Sequence, residues 1–143
     1  MYRFVGWQQA KVLDKDGFTP CDTYDQLSQL WCAETCAPRM RERWSEENRT
    51  LGQCSITAFL VQDLFGGKVY GVPLGDGNYH CFNVVDGCTF DLTSEQFGNQ
   101  KLDYEHVTEQ SREVHFAKVE KHLRYKMLRE RLMELRENLS KAE

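Results

Sequence analysis

The strongest constraint on the fold is one apolar run, LGQCSITAFLVQDLFGG, which short strand-like segments follow directly. Its apolar positions are Ile56, Ala58, Phe59, Leu60, Val61, Leu64 and Phe65. They fall on nearly every face of a helix, a pattern typical of a helix that is buried on all sides. The pair Gly66-Gly67 marks its C-terminal end. We therefore predict a central buried helix that begins near Gly52 or Cys54 and stops at Gly66.

Three short strands are predicted after this helix, at about residues 68–72, 79–85 and 88–92. Asp86-Gly87 separates the last two strands. An Asp-Gly pair between two apolar runs is a strong hairpin signal, because a type I′ turn needs positive φ at both central positions. This turn places Asn83 opposite Phe90 and fixes which side chains share a face of the sheet.

The N-terminal part of the chain predicts a helix over about residues 23–35, opened by a capping box of Thr23 and Gln26. The apolar positions that show helical spacing there are Leu27, Leu30 and Trp31. The charged stretch 39–50 reads as a surface connection. We expect the loops that face a substrate to lie in this stretch and in residues 73–79.

A long amphipathic helix is predicted over about residues 117–141, where apolar residues recur at helical spacing. The order of elements, α, α, β, β, β, α, favours the α+β class. We predict a single domain over residues 1–143. Its parts are N-terminal helices (about 1–50), the buried helix and antiparallel sheet (about 51–100) and the C-terminal helix (about 117–141).

Composition excludes several classes of protein. A chain of 143 residues with 41% hydrophobic and 28% charged residues is typical of a folded domain and not of a disordered one. A net charge of -4 gives no general affinity for nucleic acid or for an anionic membrane. The sequence shows neither a membrane-spanning apolar stretch nor an apolar signal segment, so we expect a cytoplasmic protein.

The six cysteines predict neither a disulfide framework nor a metal site. Thiols are kept reduced in the cytosol, which argues against disulfides. Cys32 and Cys36 form one tight pair, whereas a structural zinc site usually has two. We therefore expect no metal and no cofactor. A zinc domain built on Cys32 and Cys36 is the weakest of the alternatives.

Cys54 is the residue best placed for chemistry, because it opens the buried helix directly after Gln53. Free N–H groups and the positive end of the helix dipole stabilise a thiolate there. In the hairpin register His80 and Asp91 are diagonal neighbours on one face, about 7 Å apart at the backbone. A carboxylate on one ring nitrogen leaves the other nitrogen for the nucleophile. We therefore predict a Cys54-His80-Asp91 triad, with Gln53 as a candidate oxyanion donor.

Two segments carry a resemblance to known families. GQCSITAF resembles the nucleophile motif of transglutaminases, and YHCFNVVDGCTFDLTSEQF resembles the segments that follow it there. The run from Leu51 to Phe97 is still more similar to the YunG-like family of uncharacterised bacterial proteins, which carries GQC, a His-Tyr-Trp-Asn strand and an Asp-Leu-Thr-x-x-Gln-Phe ending. WCAET upstream and Arg124-Tyr125 downstream extend the resemblance over about residues 25–130.

The resemblance implies a papain-like or transglutaminase-like architecture, in which a nucleophile helix packs on a small antiparallel sheet that supplies His and Asp. It implies Cys54 as nucleophile, His80 as base and Asp91 as the orienting group. Two positions depart from the family pattern. Phe82 stands where Trp is usual, and Cys81 stands where an aromatic or aliphatic residue is usual. Phe82 keeps an apolar wall but lacks an indole N–H donor.

The leading hypothesis is a cysteine hydrolase or acyltransferase, of the peptidase, amidase or transglutaminase-like kind, that acts on an amide, ester or isopeptide bond. Neither the substrate nor the choice between hydrolysis and transfer follows from the sequence. The alternative is a non-catalytic binding or interaction module that retains the fold. Cys54 is then only a buried core thiol, His80 a strand histidine and Asp91 a turn cap.

The C-terminal helix is net basic, whereas the rest of the chain is acidic. Such a helix is most often a solvated face with an apolar stripe that docks on its own domain or on a second copy. The stripe is wider than a small sheet can cover, which favours a homodimer through this helix. His106, His115 and His122 have no ligand-like spacing, and we expect all three to be surface residues.

Overall fold

A computed structural model describes residues 3–142. Its elements in chain order are α1 (Trp7–Ala10), α2 (Pro20–Ser28), α3 (Cys54–Phe65), β1 (Lys68–Pro73), β2 (Tyr79–Val85), β3 (Cys88–Phe90), β4 (Thr108–Glu109), α4 (Arg112–Phe116) and α5 (Val119–Lys141). The four strands form one antiparallel sheet in the order β3-β2-β1-β4. This is the predicted α+β class with a small antiparallel sheet and a long C-terminal helix. Of the predicted domain, residues 1, 2 and 143 lie outside the described residues.

Helix α2 begins before the predicted start at residue 23 because Thr19 caps it, and it ends at Ser28, well before the predicted end at residue 35. The Thr19 hydroxyl accepts the N–H of Asp22 at 3.1 Å, and the Asp22 carboxylate accepts the N–H of Thr19 at 2.8 Å. Pro20 occupies the first helical position, where its fixed φ suits the helix. The predicted capping box of Thr23 and Gln26 is therefore wrong, since both residues lie inside α2.

The connection between α2 and α3 consists of three 3-10 turns, at Ala33–Thr35, Pro38–Arg43 and Glu46–Asn48. Residues 39–49 are exposed or half-buried, as predicted for a surface connection. Gly52 closes it with a φ of +71°. A Cβ at this position would lie 2.5 Å from Cys36 Sγ and 2.9 Å from Ala37 N, so only glycine fits the approach. The tight turn brings residues 36–40 beside the start of α3.

Helix α3 begins at Cys54 and ends at Phe65, in agreement with the prediction. Its buried residues are Ile56, Thr57, Ala58, Phe59, Leu60, Val61 and Phe65. The indole N–H of Trp31 donates to the Thr57 hydroxyl at 3.0 Å, which satisfies both polar groups inside the core. The apolar run therefore forms the centre of the core and fixes its first residue, Cys54, in place.

The hairpin of β2 and β3 has the predicted turn and register. Asp86 and Gly87 have φ values of 49° and 79°, the positive values that a type I′ turn requires. Strand β3 ends at Phe90, before the predicted end at residue 92. It ends there because the N–H of Asp91 donates to the carbonyl oxygen of Val5 at 3.0 Å, and the N-terminal segment replaces the sheet partner.

The two faces of β2 have different neighbours. Asn83 lies on the face that packs on α3, and its Nδ2 donates to the carbonyl oxygen of Ala58 at 2.8 Å. The segment that follows β3 covers the opposite face, where the rings of Tyr104 and Phe82 meet edge to face with centroids 4.9 Å apart. His80 shares this second face with Phe82 because side chains alternate along a strand.

The segment between β3 and α5 holds two elements that the sequence did not predict. Strand β4 adds two residues to the free edge of β1, and α4 is a helix of five residues. Ser111 caps α4 by accepting the N–H of Val114 at 3.3 Å. Both elements are too short and too polar to show a hydrophobic period.

Helix α5 contacts α3 and packs on the core through the middle of its length, where its buried residues are Arg124, Tyr125, Leu128 and Leu132. Leu128 and Leu132 are fully buried, and the Tyr125 hydroxyl donates to the Asp63 carboxylate. By contrast, Val119 is 71% exposed and Leu123 is 58% exposed. Each helix within residues 3–142 is either too short or too polar to traverse a lipid bilayer.

Candidate active site

Cys54 is the first residue of α3, where the backbone N–H groups of the first helical turn have no partner within the helix. Its side chain is half-buried, and its Sγ lies 4.0 Å from the carbonyl oxygen of Tyr79 at the start of β2. The thiol therefore reaches across from α3 to the strand that carries His80. The positive end of the α3 dipole favours an ionised sulfur at this position.

His80 and Asp91 form a buried pair, as the hairpin register predicts. His80 Nε2 lies 2.6 Å from Asp91 Oδ2, and both side chains are only 1% exposed. The bond fixes the ring and assigns Nε2 as the donor, which leaves Nδ1 for the interaction with Cys54. Although burial acts to lower it, the charge and hydrogen bond of Asp91 together with Cys54 raise the pKa of His80 to about 10.

The pKa of Cys54 lies well below its ordinary value. A hydrogen bond from the Cys81 thiol contributes most to this, and the hydrogen bond and charge of His80 outweigh the remaining cost of burial. The same contact, with burial, raises the pKa of Cys81 well above its ordinary value. These opposite shifts favour ionisation of Cys54 over ionisation of Cys81, with the Cys81 thiol as a hydrogen-bond donor and His80 as a positively charged neighbour.

Two other thiols show the opposite behaviour. Burial, with nearby Asp22, raises the pKa of Cys21 to about 11. Burial also raises the pKa of Cys36. Both act as apolar core residues. All six cysteines are free thiols, and among the described residues no three His, Cys, Asp or Glu side chains form a group that could hold a metal ion. The zinc alternative receives no support from this arrangement.

Three residues of the segment after β3 hold the His80–Asp91 pair in place. Asp91 Oδ1 accepts the backbone N–H of Thr93 at 3.1 Å, and Asp91 Oδ2 accepts the hydroxyl of Tyr104 at 2.8 Å. The rings of Phe97 and His80 meet edge to face, with centroids 4.6 Å apart. Both carboxylate oxygens are thus hydrogen-bonded, and the aromatic cover keeps water away from the pair.

Gln53, the candidate oxyanion donor, is fully buried behind Cys54. Its Nε2 donates to the carbonyl oxygen of Cys32 at 3.1 Å, and its Oε1 has no hydrogen-bond partner among the described residues. One N–H of this amide is therefore engaged in holding the loop before α3. The oxyanion role of Gln53 stays a prediction.

Cys54 and His80 open into a pocket of about 540 Å³. Its lining includes Arg39 and Met40 from the first predicted loop region and Leu74 from the second. The remaining wall, which we call the α4–α5 wall, comes from α4 and the start of α5. These elements were not associated with the site in the sequence analysis. The reactive sulfur is thus accessible from a concave surface that is large enough for a small substrate or a peptide side chain.

The α4–α5 wall contains a chain of hydrogen bonds. Lys121 Nζ lies 2.9 Å from His115 Nδ1, and His115 Nε2 lies 2.8 Å from Gln110 Oε1. Burial, with the charge of Lys121, lowers the pKa of His115 to about 4, so the ring is neutral and Nδ1 accepts from the lysine. The expectation of a surface histidine is wrong for His115, because α4 turns it into the pocket, and for His122, which is also half-buried and stacks on Phe116. His106 is exposed, as expected.

Six residues of the site escaped the sequence prediction: Cys81, Thr93, Phe97, Tyr104, His115 and Lys121. Cys81, Thr93 and Phe97 belong to the segment that carries the family resemblance, which was the available signal. Tyr104 lies in an irregular segment, and His115 and Lys121 come from elements far from the hairpin in sequence. Nothing local marks such residues, because only the tertiary fold places them beside Cys54.

Comparison with known proteins agrees with the resemblance seen in the sequence. A model of the family described as YunG protein matches residues 19–137. The chain is 35% identical over 104 residues to "Uncharacterized protein YunG" of Bacillus subtilis (strain 168), a match that covers 73% of this chain and 83% of that protein. No solved structure matches the chain, so its papain-like or transglutaminase-like placement stays a prediction. The chain belongs to the YunG family.

Proposed function

We propose that the protein is a cysteine hydrolase or acyltransferase that acts on an amide, ester or isopeptide bond. One observation carries the proposal: the buried His80–Asp91 pair, with its 2.6 Å hydrogen bond, leaves one ring nitrogen for a cysteine at a helix N-terminus. Nucleophile, base and orienting carboxylate are the parts that such catalysis requires, and their roles are set by geometry and not by order in the chain.

The resting site holds a Cys54 thiolate and a His80 imidazolium. The thiolate attacks the substrate carbonyl carbon and forms a C–S bond while the carbonyl oxygen becomes an oxyanion. The backbone N–H of Cys54, which is free in the first turn of α3, is the nearest candidate donor to that oxygen, with Gln53 as a second. His80 then gives its Nδ1 proton to the leaving amine or alkoxide as the carbonyl re-forms and the bond to the leaving group breaks.

The acyl-enzyme is released by the reverse sequence of proton transfers. Water or an acceptor amine attacks the thioester, His80 takes its proton, and the C–S bond breaks to restore the Cys54 thiolate. Asp91 stays ionised throughout and holds the imidazolium. Water gives hydrolysis, whereas an amine gives acyl transfer. No step requires a cofactor.

The architecture is consistent with a papain-like or transglutaminase-like arrangement, which forms part of the proposal. In that arrangement a helix carries the nucleophile at its N-terminus and packs on an antiparallel sheet that supplies the base. Here α3 packs on β2, which carries His80, and Asp91 follows β3. Cys81 and Phe82 depart from the family pattern, and neither is a member of the triad.

Alkylation of each cysteine by iodoacetamide, resolved by peptide mass spectrometry over a range of pH, tests the proposal. We expect Cys54 to react much faster than Cys88 at about pH 6, where an ordinary thiol is almost entirely protonated. Cys88 is the internal reference, because it is also half-buried. Equal rates for the two thiols would contradict a thiolate at Cys54. A panel of activated esters then measures turnover, and Cys54→Ser supplies the inactive control.

A second candidate is a non-catalytic interaction module that forms a homodimer through α5. Val119 and Leu123 favour it, because both are large apolar residues that are more than half exposed near the start of this helix. Sedimentation velocity of the wild type and of Leu123→Lys tests it. A dimer that Leu123→Lys dissociates, in a protein without esterase activity, would favour the module over the enzyme.

A further inference from the structure

The pocket in front of Cys54 is basic in a protein that is acidic. The chain has a net charge of -4. Apart from Cys54 and His80, the charged lining residues in the described part of the chain are four cations and one anion. The cations are Arg39, Lys118, Lys121 and Arg124, and the anion is Glu120. Glu120 is bound to Arg124, with 2.8 Å between Oε2 and Nε. The excess positive charge therefore remains on the other cations of the lining.

Lys121 is the cation that the structure orients. Its Nζ donates to His115 Nδ1, His115 donates to Gln110 Oε1, and Gln110 Nε2 donates to the carbonyl oxygen of Thr108 at 3.1 Å. This chain of bonds uses one N–H of the ammonium and anchors it to β4. The side chain is half-buried in the pocket wall, and within residues 3–142 no carboxylate oxygen lies within ion-pair distance of Nζ.

A contribution to the stability of the fold does not explain why a charged lysine occupies this position. Lys121 lies in the first turn of α5, at the positive end of the helix dipole, and is three residues from Lys118. The helix dipole and the charge of Lys118 both disfavour a positive charge at this position. Burial and Lys118 accordingly lower the pKa of Lys121. A half-buried, oriented and unpaired ammonium on the wall of a reactive pocket is instead suited to hold an anionic group of a ligand.

We propose that Lys121 binds a carboxylate of the acyl substrate, so that the preferred substrates are amides or esters that carry an acidic group close to the bond that Cys54 attacks. His115 acts as a positioning residue for Lys121. The inference rests on the proposed function, since it identifies the substrate class of the same site. Arg39 and Lys118 add to the attraction from the rim of the pocket.

Two alkylating reagents of similar size, iodoacetate and iodoacetamide, test the inference without requiring turnover. The rate ratio of anionic to neutral reagent at Cys54 cancels any change in the ionisation of the thiol itself. We expect Lys121→Met to lower this ratio about tenfold, as for the loss of one charge-assisted contact. Lys121→Arg keeps the charge and should retain most of the ratio. Lys126→Met, an exposed position on the same helix, is the matched control and should leave the ratio unchanged.

The outcomes separate the inference from the function on which it rests. If Cys54 reacts faster than Cys88 with iodoacetamide but Lys121→Met leaves the ratio unchanged, the function stands and the carboxylate site is overturned. If Cys54 reacts no faster than Cys88, the proposed function is contradicted. The ratio of the iodoacetate rate to the iodoacetamide rate at Cys54 is then measured at a pH at which any thiol is ionised, so the carboxylate site is tested separately.

The same comparison extends to turnover. The half-ester mono-4-nitrophenyl glutarate and the neutral 4-nitrophenyl butyrate have similar acyl chains, and the glutarate should have the higher kcat/KM in the wild type. His115→Gln should weaken this preference chiefly by raising KM for the glutarate, with a smaller change in kcat than in KM. An equal preference in the wild type and in Lys121→Met would overturn the proposal.

Discussion

Two histidines line the same pocket and have pKa values displaced in opposite directions. Both lose solvent on folding, which by itself lowers the pKa of a histidine. Asp91 reverses this for His80, whose pKa rises to about 10. Lys121 adds to it for His115, whose pKa falls to about 4. Burial is therefore the largest cause of the lowered pKa of His115, whereas the charge and hydrogen bond of Asp91, with Cys54, override burial at His80.

The β2–β3 wall and the α4–α5 wall of the pocket therefore have different roles in the proposed site. In the proposed mechanism, the wall of β2 and β3 holds an imidazolium that stabilises a thiolate and later supplies a proton. The wall of α4 and α5 holds a neutral imidazole that aims an ammonium at the cavity. Titratable groups whose environments move their pKa values apart mark functional sites more specifically than a single shifted group does.

The largest effect should come from removing His80, because the Cys81 thiol contributes a hydrogen bond to the lowered pKa of Cys54, whereas His80 contributes both a hydrogen bond and a charge. His80→Ala deletes the cation beside Cys54, so the pKa of the thiol rises toward its ordinary value. We expect the alkylation rate of Cys54 at about pH 6 to fall by roughly two orders of magnitude or more, in proportion to the thiolate fraction. His106→Ala is the control. His106 forms a similar pair with Asp103, at 2.7 Å, but on the surface. A similar loss in both variants would contradict a specific role for His80.

Cys81→Ala should have the next largest effect. The variant removes the thiol that donates to the Cys54 sulfur, so we expect the pKa of Cys54 to rise and its alkylation at about pH 6 to be roughly tenfold slower. At about pH 9 the two proteins should alkylate at the same rate, because Cys54 is then ionised in both. A constant ratio across the pH range would indicate a structural effect instead.

Stability should depend on pH in opposite directions for the two histidines. The folded pKa of His115 is lowered, so its burial should destabilise the protein as pH falls from about 6.5 to about 4. The folded pKa of His80 is raised, so its pairing with Asp91 stabilises fully below about pH 6.5, and this contribution is lost as pH rises through the folded value.

Thermal unfolding at several pH values measures these contributions. The Cys54→Ala background isolates His80, because the thiol releases a proton on folding and opposes the uptake by the histidine. In that background Asp91→Asn should remove the loss of stability above about pH 6.5. His115→Gln should remove the loss in the acid range. Identical slopes in the variants and their parents would contradict the assignments.

The smallest effect should come from Tyr104, which supports the His80–Asp91 pair from outside. Tyr104→Phe removes one hydrogen bond to Asp91 and keeps the ring that packs on Phe82. We expect a loss of about 2 kcal/mol in the free energy of unfolding, the usual net value of a hydrogen bond to a charged group. Chemical denaturation measures it. Cys54 reactivity should change by less than in Cys81→Ala, and a larger loss of reactivity would give Tyr104 a direct role.

The parts of the site that could be predicted from sequence are those fixed by local chemistry. Asp86-Gly87 determines a type I′ turn, the turn determines the register, and the register places His80 beside Asp91. Likewise an apolar run between Gly52 and Gly66 determines where the helix that carries Cys54 begins. Each step concerns residues close together in the chain, so turn and helix rules suffice.

The remaining parts depend on long-range packing. The α4–α5 wall lies over Cys54 because Leu128 and Leu132 pack α5 on the core, and no local pattern near His115 or Lys121 indicates this. Helix α2 shows a smaller case of the same kind, since two capping signals compete within a few residues. The pair Thr19–Asp22, which Pro20 supports, prevails over the predicted one.

The central claim is that Cys54 is a thiolate at neutral pH, and ultraviolet absorbance of the thiolate tests it most directly. The difference spectrum between the wild type and Cys54→Ala, titrated with pH, reports the ionisation of this one sulfur. We predict a thiolate signal that persists well below 9.0, the ordinary pKa of a cysteine. A difference signal that develops only at or above pH 9.0 would contradict the ion pair with His80 and the proposed function that depends on it.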